Sequence, residues 1–441
     1  MATVSARPGI GDVIFIALKP IVKMAAITGG GAFLCRKGIL SIEATKANAQ
    51  MILKFLMPML IFSTVTASFN TENVKSVGGL VITALMYQAM GLIFGILIWW
   101  LTPVPRSWRG GVLVNESFSN WGDLIMAFIL TIAKSEPFNG EADSTRGLAY
   151  ASIFIIMQTL TMFNLGGLQL IQRDFKNKKD DLELNTSAMN TVAPSIADGI
   201  VPSTIEATAT EPKFGDLRHR EDTIQEQPTV NPATPVQIPS EVIPAARGWK
   251  SRVWEHLQPF LAPPALAMIA GLIVANISPL KALFVPTDQY KMPNAPDHRP
   301  PLDFIMEICN FGGSAVPMIG TILLGAALAR LKINGLPKGF WKSALGMAVL
   351  KLVVGPIIGL VWTTQVMTRT GLIDPNDKML LFVMIMSAGV PTATLQVYLT
   401  SVYASETSVE MSALSAMLLA QYGLLLFSLT TLVSYTLMNV L

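Results

Sequence analysis

Gly110-Gly-Val-Leu-Val-Asn-Glu-Ser-Phe-Ser-Asn-Trp-Gly-Asp123 leads into an apolar run that continues to Ile132. The whole stretch, 109–133, has the length of a bilayer-spanning helix, about 20 mostly apolar residues. Yet Asn115, Glu116, Ser117, Ser119, Asn120 and Asp123 fall in its middle. Polar and ionisable groups at that depth are costly and face a cavity or a partner helix. Asn120-Trp121-Gly122-Asp123 reads as an interruption of the helix. Glycine permits an unwound backbone, and Asn and Asp side chains can satisfy the groups that unwinding frees.

A second stretch, 377–402, carries a matching break in Ser387-Ala-Gly-Val-Pro-Thr-Ala-Thr-Leu-Gln396. Pro391 removes an intrahelical hydrogen bond and disfavours helix at Val390. Working outward, apolar stretches at 11–34, 45–69, 77–102 and 147–171 complete a first group of five. Those at 257–278, 303–331, 340–366 and 412–439 complete a second. The broken stretches are the fourth and the ninth, and Pro58 and Pro317 interrupt the second and the seventh. The fold expected is therefore an all-α polytopic membrane protein of ten transmembrane helices. An odd number of spans per half turns the halves, 1–171 and 257–441, into an inverted repeat if they share a fold. That architecture belongs mainly to secondary transporters.

Composition agrees. Only 14% of the 441 residues are charged, 51% are hydrophobic, and the mean hydropathy is +0.50. Soluble domains carry about 25% charged residues, so lipid must solvate much of this chain. The net charge of +3 is spread out, with no basic stripe to bind nucleic acid. Cys35 and Cys309 make no disulfide framework and no CxxC metal site. His219, His256 and His298 all fall outside the spans, so neither a histidine relay nor a metal site is expected, and no cofactor signature is present. Paired aspartates, HExxH and Ser/His sets are absent at membrane depth, which argues against an intramembrane enzyme.

Between the halves, 172–256 opens with Arg173, Lys176, Lys178 and Lys179, then becomes rich in Thr, Pro, Glu and Asp. Such a stretch cannot bury enough apolar surface to offset its chain entropy, and it reads as a disordered tether. Lys and Arg flanking the spans set orientation. Arg36, Lys37, Lys46, Arg106, Arg109, the Arg173–Lys179 cluster, Lys250, Arg252, Arg330, Lys332, Lys338 and Lys342 gather on one face. That face is expected to be cytosolic, with the linker on it and both termini on the other side.

Two broken helices that cross near the bilayer centre would each present a half-helix N-terminus with free N–H donors and a positive dipole. That arrangement suits an anion, most simply a carboxylate. At these residues the chain resembles the auxin efflux carrier family, the PIN-FORMED and PIN-LIKES group with its fungal relatives. The resemblance rests on Phe55-Leu-Met-Pro-Met-Leu-Ile-Phe62, on Asn115–Asp123 with Pro137-Phe138, and on Pro263-Pro264. It also rests on Ala315-Val-Pro-Met318 with Gly325, and on Gly389-Val-Pro391. It implies a carrier of indole-3-acetic acid or related organic anions that works by an elevator-type motion around helices four and nine. Carried over residue by residue, it implies a substrate site of Asn115, Ser117, Asn120 and Asp123 with Gly389, Pro391, Thr392 and Thr394. Gln158 of the fifth span joins the set by position, and Pro58, Ser63, Gly122 and Pro317 serve as helix-break and packing residues. The PIN-LIKES branch implies the endoplasmic reticulum, with the plasma membrane as the alternative. The partners expected are a small organic anion and the bilayer, with association into a homodimer left open.

Within transport, the alternative is a cation- or proton-coupled organic-acid symporter. Outside it, the alternative is a non-transporting receptor or scaffold. Asp123 is the candidate for proton linkage, because its carboxyl lies in an unwound, partly buried segment. Lys19, Lys23, Lys54, Lys351 and Glu307 also lie within spans, where snorkelling or interhelical pairing is the simpler reading of each. Gly29-Gly30-Gly31 reads as close helix packing.

Overall fold

The computed structural model describes residues 10–68, 74–176, 261–405 and 408–441. Nearly all of the expected linker, 172–256, lies outside them. Among the described residues the regular elements are helices, and the β pairing is a single antiparallel bridge between Ser119 and Thr392.

Among the described residues seven helices are long and apolar enough to cross a membrane: α1 (Ile10–Arg36), α2 (Ile42–Ala67), α3 (Val74–Leu101), α6 (Glu141–Lys176), α9 (Asp303–Ala329), α10 (Phe340–Met367) and α13 (Val409–Asn439). Their outward faces stay apolar, with Ile93, Trp100, Phe311 and Phe427 exposed, as a helix solvated by lipid requires. Pro20 and Pro317 sit inside α1 and α9 without ending them. Neighbouring helices in a membrane can re-satisfy the backbone groups that proline frees.

The other three apolar stretches are broken. The fourth is α4 (Arg109–Ser117) followed by α5 (Asp123–Ile132), and the ninth is α11 (Lys378–Ala388) followed by α12 (Thr394–Tyr403). The sixth differs from the single span expected over 257–278. α7 (Pro263–Asn276) bends by 110° into α8 (Ser278–Phe284). Ile277 takes an extended conformation there, and a proline in the first turn of α8, Pro279, fixes the new direction. Counting this bent pair as one span brings the helices that pass the length and apolarity test to eight.

The short helices occupy the interior. Met379 to Ala388 of α11 are all buried, and so are Thr394 to Ser401 of α12. One apolar core gathers Trp121, Leu124 and Phe128 with Phe154, Phe382 and Leu429. The other gathers Trp108, Val112 and Val114 with Ile61, Leu323 and Met417. The earlier and later helices interpack closely. A Cβ on Gly31 of α1 would meet the Ile322 Cα of α9 at 2.8 Å, and one on Gly325 of α9 would meet the Ala32 N at 2.8 Å. Glycine at both positions lets the two backbones approach. Gly29 and Gly30 face open space, so close packing falls on Gly31 alone of the three.

Candidate functional site

The two breaks, 118–122 and 389–393, lie against each other. Asn120 N–H donates to the Pro391 carbonyl at 2.7 Å, and Ala393 N–H donates to the Phe118 carbonyl at 3.0 Å. The backbone groups that each unwound segment frees are thus paired with the other segment, as a dry interior demands. Thr392 adds two bonds. Its Oγ1 donates to the Asn115 carbonyl at 2.7 Å, and its N–H donates to Gln421 Oε1 of α13 at 2.8 Å.

Breaking a helix also leaves terminal carbonyls and N–H groups without partners, and long-range side chains serve them. At the end of α4, the buried Lys351 of α10 donates to the carbonyls of Asn115 at 3.0 Å and Glu116 at 2.6 Å. A cation at a helix C-terminus also meets the negative end of its dipole. The Glu116 side chain, buried and with no hydrogen-bond partner for its carboxyl oxygens among the described residues, has Lys351 as its electrostatic partner. At the end of α11, Tyr87 of α3 donates its hydroxyl to the Met384 carbonyl at 3.0 Å. Trp121 Nε1 donates to the Ser387 carbonyl at 2.8 Å. At the start of α4, Asp174 accepts from Gly110 N–H at 3.1 Å and Gly111 N–H at 2.7 Å.

Beside the crossover lies a cavity of about 90 Å³. The first residues of α5 and α12, Asp123 and Thr394, both line it, so two half-helix N-termini face the same space. Thr394 Oγ1 donates to Asp123 Oδ2 at 2.7 Å, and Asn120 Oδ1 accepts from Asp123 N–H at 3.1 Å. Gln158 and Thr159 face it from α6 and Tyr398 from α12, while Met57, Leu60, Ile61 and Val316 make an apolar wall. A wider groove, about 470 Å³ between α10 and α13, is lined mainly by apolar side chains and brings no charged group together.

The structure therefore brings Asn120, Gly122, Asp123, Gln158, Thr394 and Pro317 to one cavity. It does not bring Asn115, Ser117, Gly389, Pro391 and Thr392 to its wall. Asn115, fully buried, points its amide toward the sulfur atoms of Met347 and Met417. Pro391 and Thr392 hold the crossing segments together. A Cβ on Gly389 would run into Leu432 of α13. Pro58 is half-buried in α2, and Ser63 donates to its own helix at the Leu60 carbonyl. Lys19, Lys23 and Lys54 are exposed, Lys19 lies over the Phe15 ring, and Glu307 pairs with Arg299. Lys351 is the exception, turned inward onto α4.

The sequence reading missed Thr159, Tyr398, Tyr87 and Gln421. Each carried a usable signal, since a polar side chain at membrane depth needs a partner. Tyr398 also sits one turn beyond Thr394, on the same helix face.

Comparison with known proteins bears on this arrangement. The family model described as Membrane transport protein matches residues 16–433. Protein ECM3 of Saccharomyces cerevisiae is 27% identical, with 97% of this chain and 98% of that protein covered. An uncharacterized transporter of the same yeast is 24% identical with the same coverage. Protein PIN-LIKES 2 of Arabidopsis thaliana is 22% identical over 95% of this chain and 93% of its own length. Nearly the full length of this chain, all three broken stretches included, thus belongs to the membrane transport proteins of the auxin efflux carrier family.

Proposed function

We propose that this chain is a secondary carrier that moves a small amphipathic organic anion, of the aromatic-carboxylate type, by alternating access around the crossing helices α4–α5 and α11–α12. The observation that carries the reading is the meeting of two half-helix N-termini at one cavity. Asn120, Gln158 and Thr394 offer polar contacts there, and methionine and aliphatic side chains face them. Helix N-termini favour a carboxylate, and the apolar wall suits a ring. In this reading the three broken stretches complete ten spans, and 1–171 and 257–441 form two inverted five-helix repeats joined by a cytosolic linker. The termini lie on the far side of the membrane, with the endoplasmic reticulum the favoured location.

Asp123 favours a second, proton-coupled form of the same reading. An anion entering a water-poor cavity is repelled by a carboxylate unless the carboxyl carries a proton. Anion and proton would then travel together, which makes the carrier a symporter.

The test is flux into proteoliposomes of the purified full chain, screened with aromatic and aliphatic carboxylates, with and without a pH gradient. Saturable uptake of an aromatic carboxylate supports the carrier reading, and its enhancement by a gradient supports the symporter form. Absence of flux for every carboxylate in folded protein would leave a receptor or scaffold.

A further inference from the structure

A second, separate pocket of about 310 Å³ lies where the end of α3, the start of α4 and the end of α6 come together. Arg106, Arg109 and Arg173 line it, with Trp99 and Leu113. The Arg109 guanidinium lies 4.8 Å from the centroid of the Trp99 ring, a cation–π distance that fixes its position. The single carboxylate in the pocket, Asp174, accepts from Gly110 and Gly111 N–H with its two oxygens and so belongs to the cap of α4. None of the three arginines is held in an ion pair among the described residues. All three are exposed, so the pocket is open.

Its level in the molecule identifies its surroundings. α3 ends at Leu101 just past Trp99 and Trp100, and Trp100 is 82% exposed. Exposed tryptophan at the end of an apolar span marks the boundary between acyl chains and headgroups. Arginine forks match phosphate oxygens in two-point geometry. A basic pocket between spans at that level is built to hold a lipid headgroup.

We infer that Arg106, Arg109 and Arg173 form a binding site for the phosphate-bearing headgroup of an anionic phospholipid in the adjacent leaflet, with Leu113 and Trp99 against its glycerol end. The site lies apart from the cavity at Asp123. Its occupancy is a lipid-binding property that stands or falls independently of transport.

The test is native mass spectrometry of the purified full chain in neutral detergent. The probes are phosphatidylcholine, phosphatidylserine, phosphatidylinositol 4-phosphate and, as a water-soluble control, inositol phosphate. Wild type should retain the two anionic lipids over phosphatidylcholine. The triple variant Arg106→Gln, Arg109→Gln, Arg173→Gln should bind them roughly ten-fold or more weakly, with retention of phosphatidylcholine unchanged. Should the triple variant not fold, the three single variants must each weaken anionic-lipid retention. Equal retention in wild type and variants overturns the site. Inositol phosphate binding as tightly as the lipid would make the ligand a soluble phosphate and overturn the lipid assignment.

Discussion

Lys351 shows how much one side chain decides in a dry interior. Its ammonium donates to three carbonyls at and just past the end of α4, those of Asn115, Glu116 and Phe118, and its charge acts on the buried Glu116 carboxyl. Leaving buried carbonyls without their donor costs about 1–3 kcal/mol each, and the buried Glu116 carboxyl would also lose its neighbouring cation. Lys351→Met is therefore expected to lower thermal stability by an amount of that order. Adding Glu116→Gln should recover part of the loss, and only part, since the α4 carbonyls still lack their donor. Thermal unfolding of wild type, Lys351→Met and the double variant in detergent checks this, and Lys351→Met as stable as wild type would refute it. Asp123 invites a different test. If an anion binds only when this carboxyl is protonated, affinity is present at low pH and is lost as pH rises and the carboxylate forms. Asp123→Asn is neutral at every pH, so its binding should stay flat where that of wild type falls. Substrate affinity measured from acid to neutral pH decides, and parallel curves would make Asp123 a helix-break residue without a proton.

At the scale of elements, the contact of α1 with α9 depends on two glycines that admit no side chain. Gly325→Val should force the helices apart and lower the yield of folded protein sharply, whereas Gly30→Ala, facing open space, should be neutral. Fluorescence-detected size exclusion of both variants gives the comparison, and two normal profiles would show that the contact tolerates a side chain. The broken elements were legible in the sequence because polar residues and Pro391 stand where lipid-facing helix should be. The expected break at Asn120–Asp123 begins slightly earlier, as α4 ends at Ser117. What could not be read was the set of partners. Tyr87 meets Met384, Trp121 meets Ser387 and Lys351 meets Asn115 across more than 200 residues of sequence. A lone polar residue in a span states that it needs a partner without naming which. The bend at Ile277 went unread because a proline early in a helix is ordinarily compatible with a straight start.

At the scale of the whole molecule, the orientation proposed from the positive-inside pattern would place the linker in the cytosol. The sequon Asn185-Thr186-Ser187 should then remain unglycosylated in native protein, and deleting most of 185–245 should leave transport largely intact. Mass analysis of the native chain checks the first outcome, and glycan on Asn185 would reverse the orientation. The central claim is that the crossover of α4–α5 with α11–α12 is the substrate site, and it meets its most direct test in substrate flux. Asn120 faces the cavity, accepts from Asp123 N–H with its side chain and donates its own N–H to the Pro391 carbonyl. A hydrogen bond to a charged group contributes about 1.5–3 kcal/mol. Asn120→Ala should thus weaken the affinity for a transported carboxylate by roughly ten- to a hundred-fold. Pro391→Ala, by letting the ninth stretch wind on as helix, should lower its rate of transport. The measurement is concentration-dependent uptake into proteoliposomes by wild type, Asn120→Ala and Pro391→Ala, reconstituted in equal folded amounts. Weakened uptake in both variants is the result predicted, and wild-type rate and affinity in both would contradict the account.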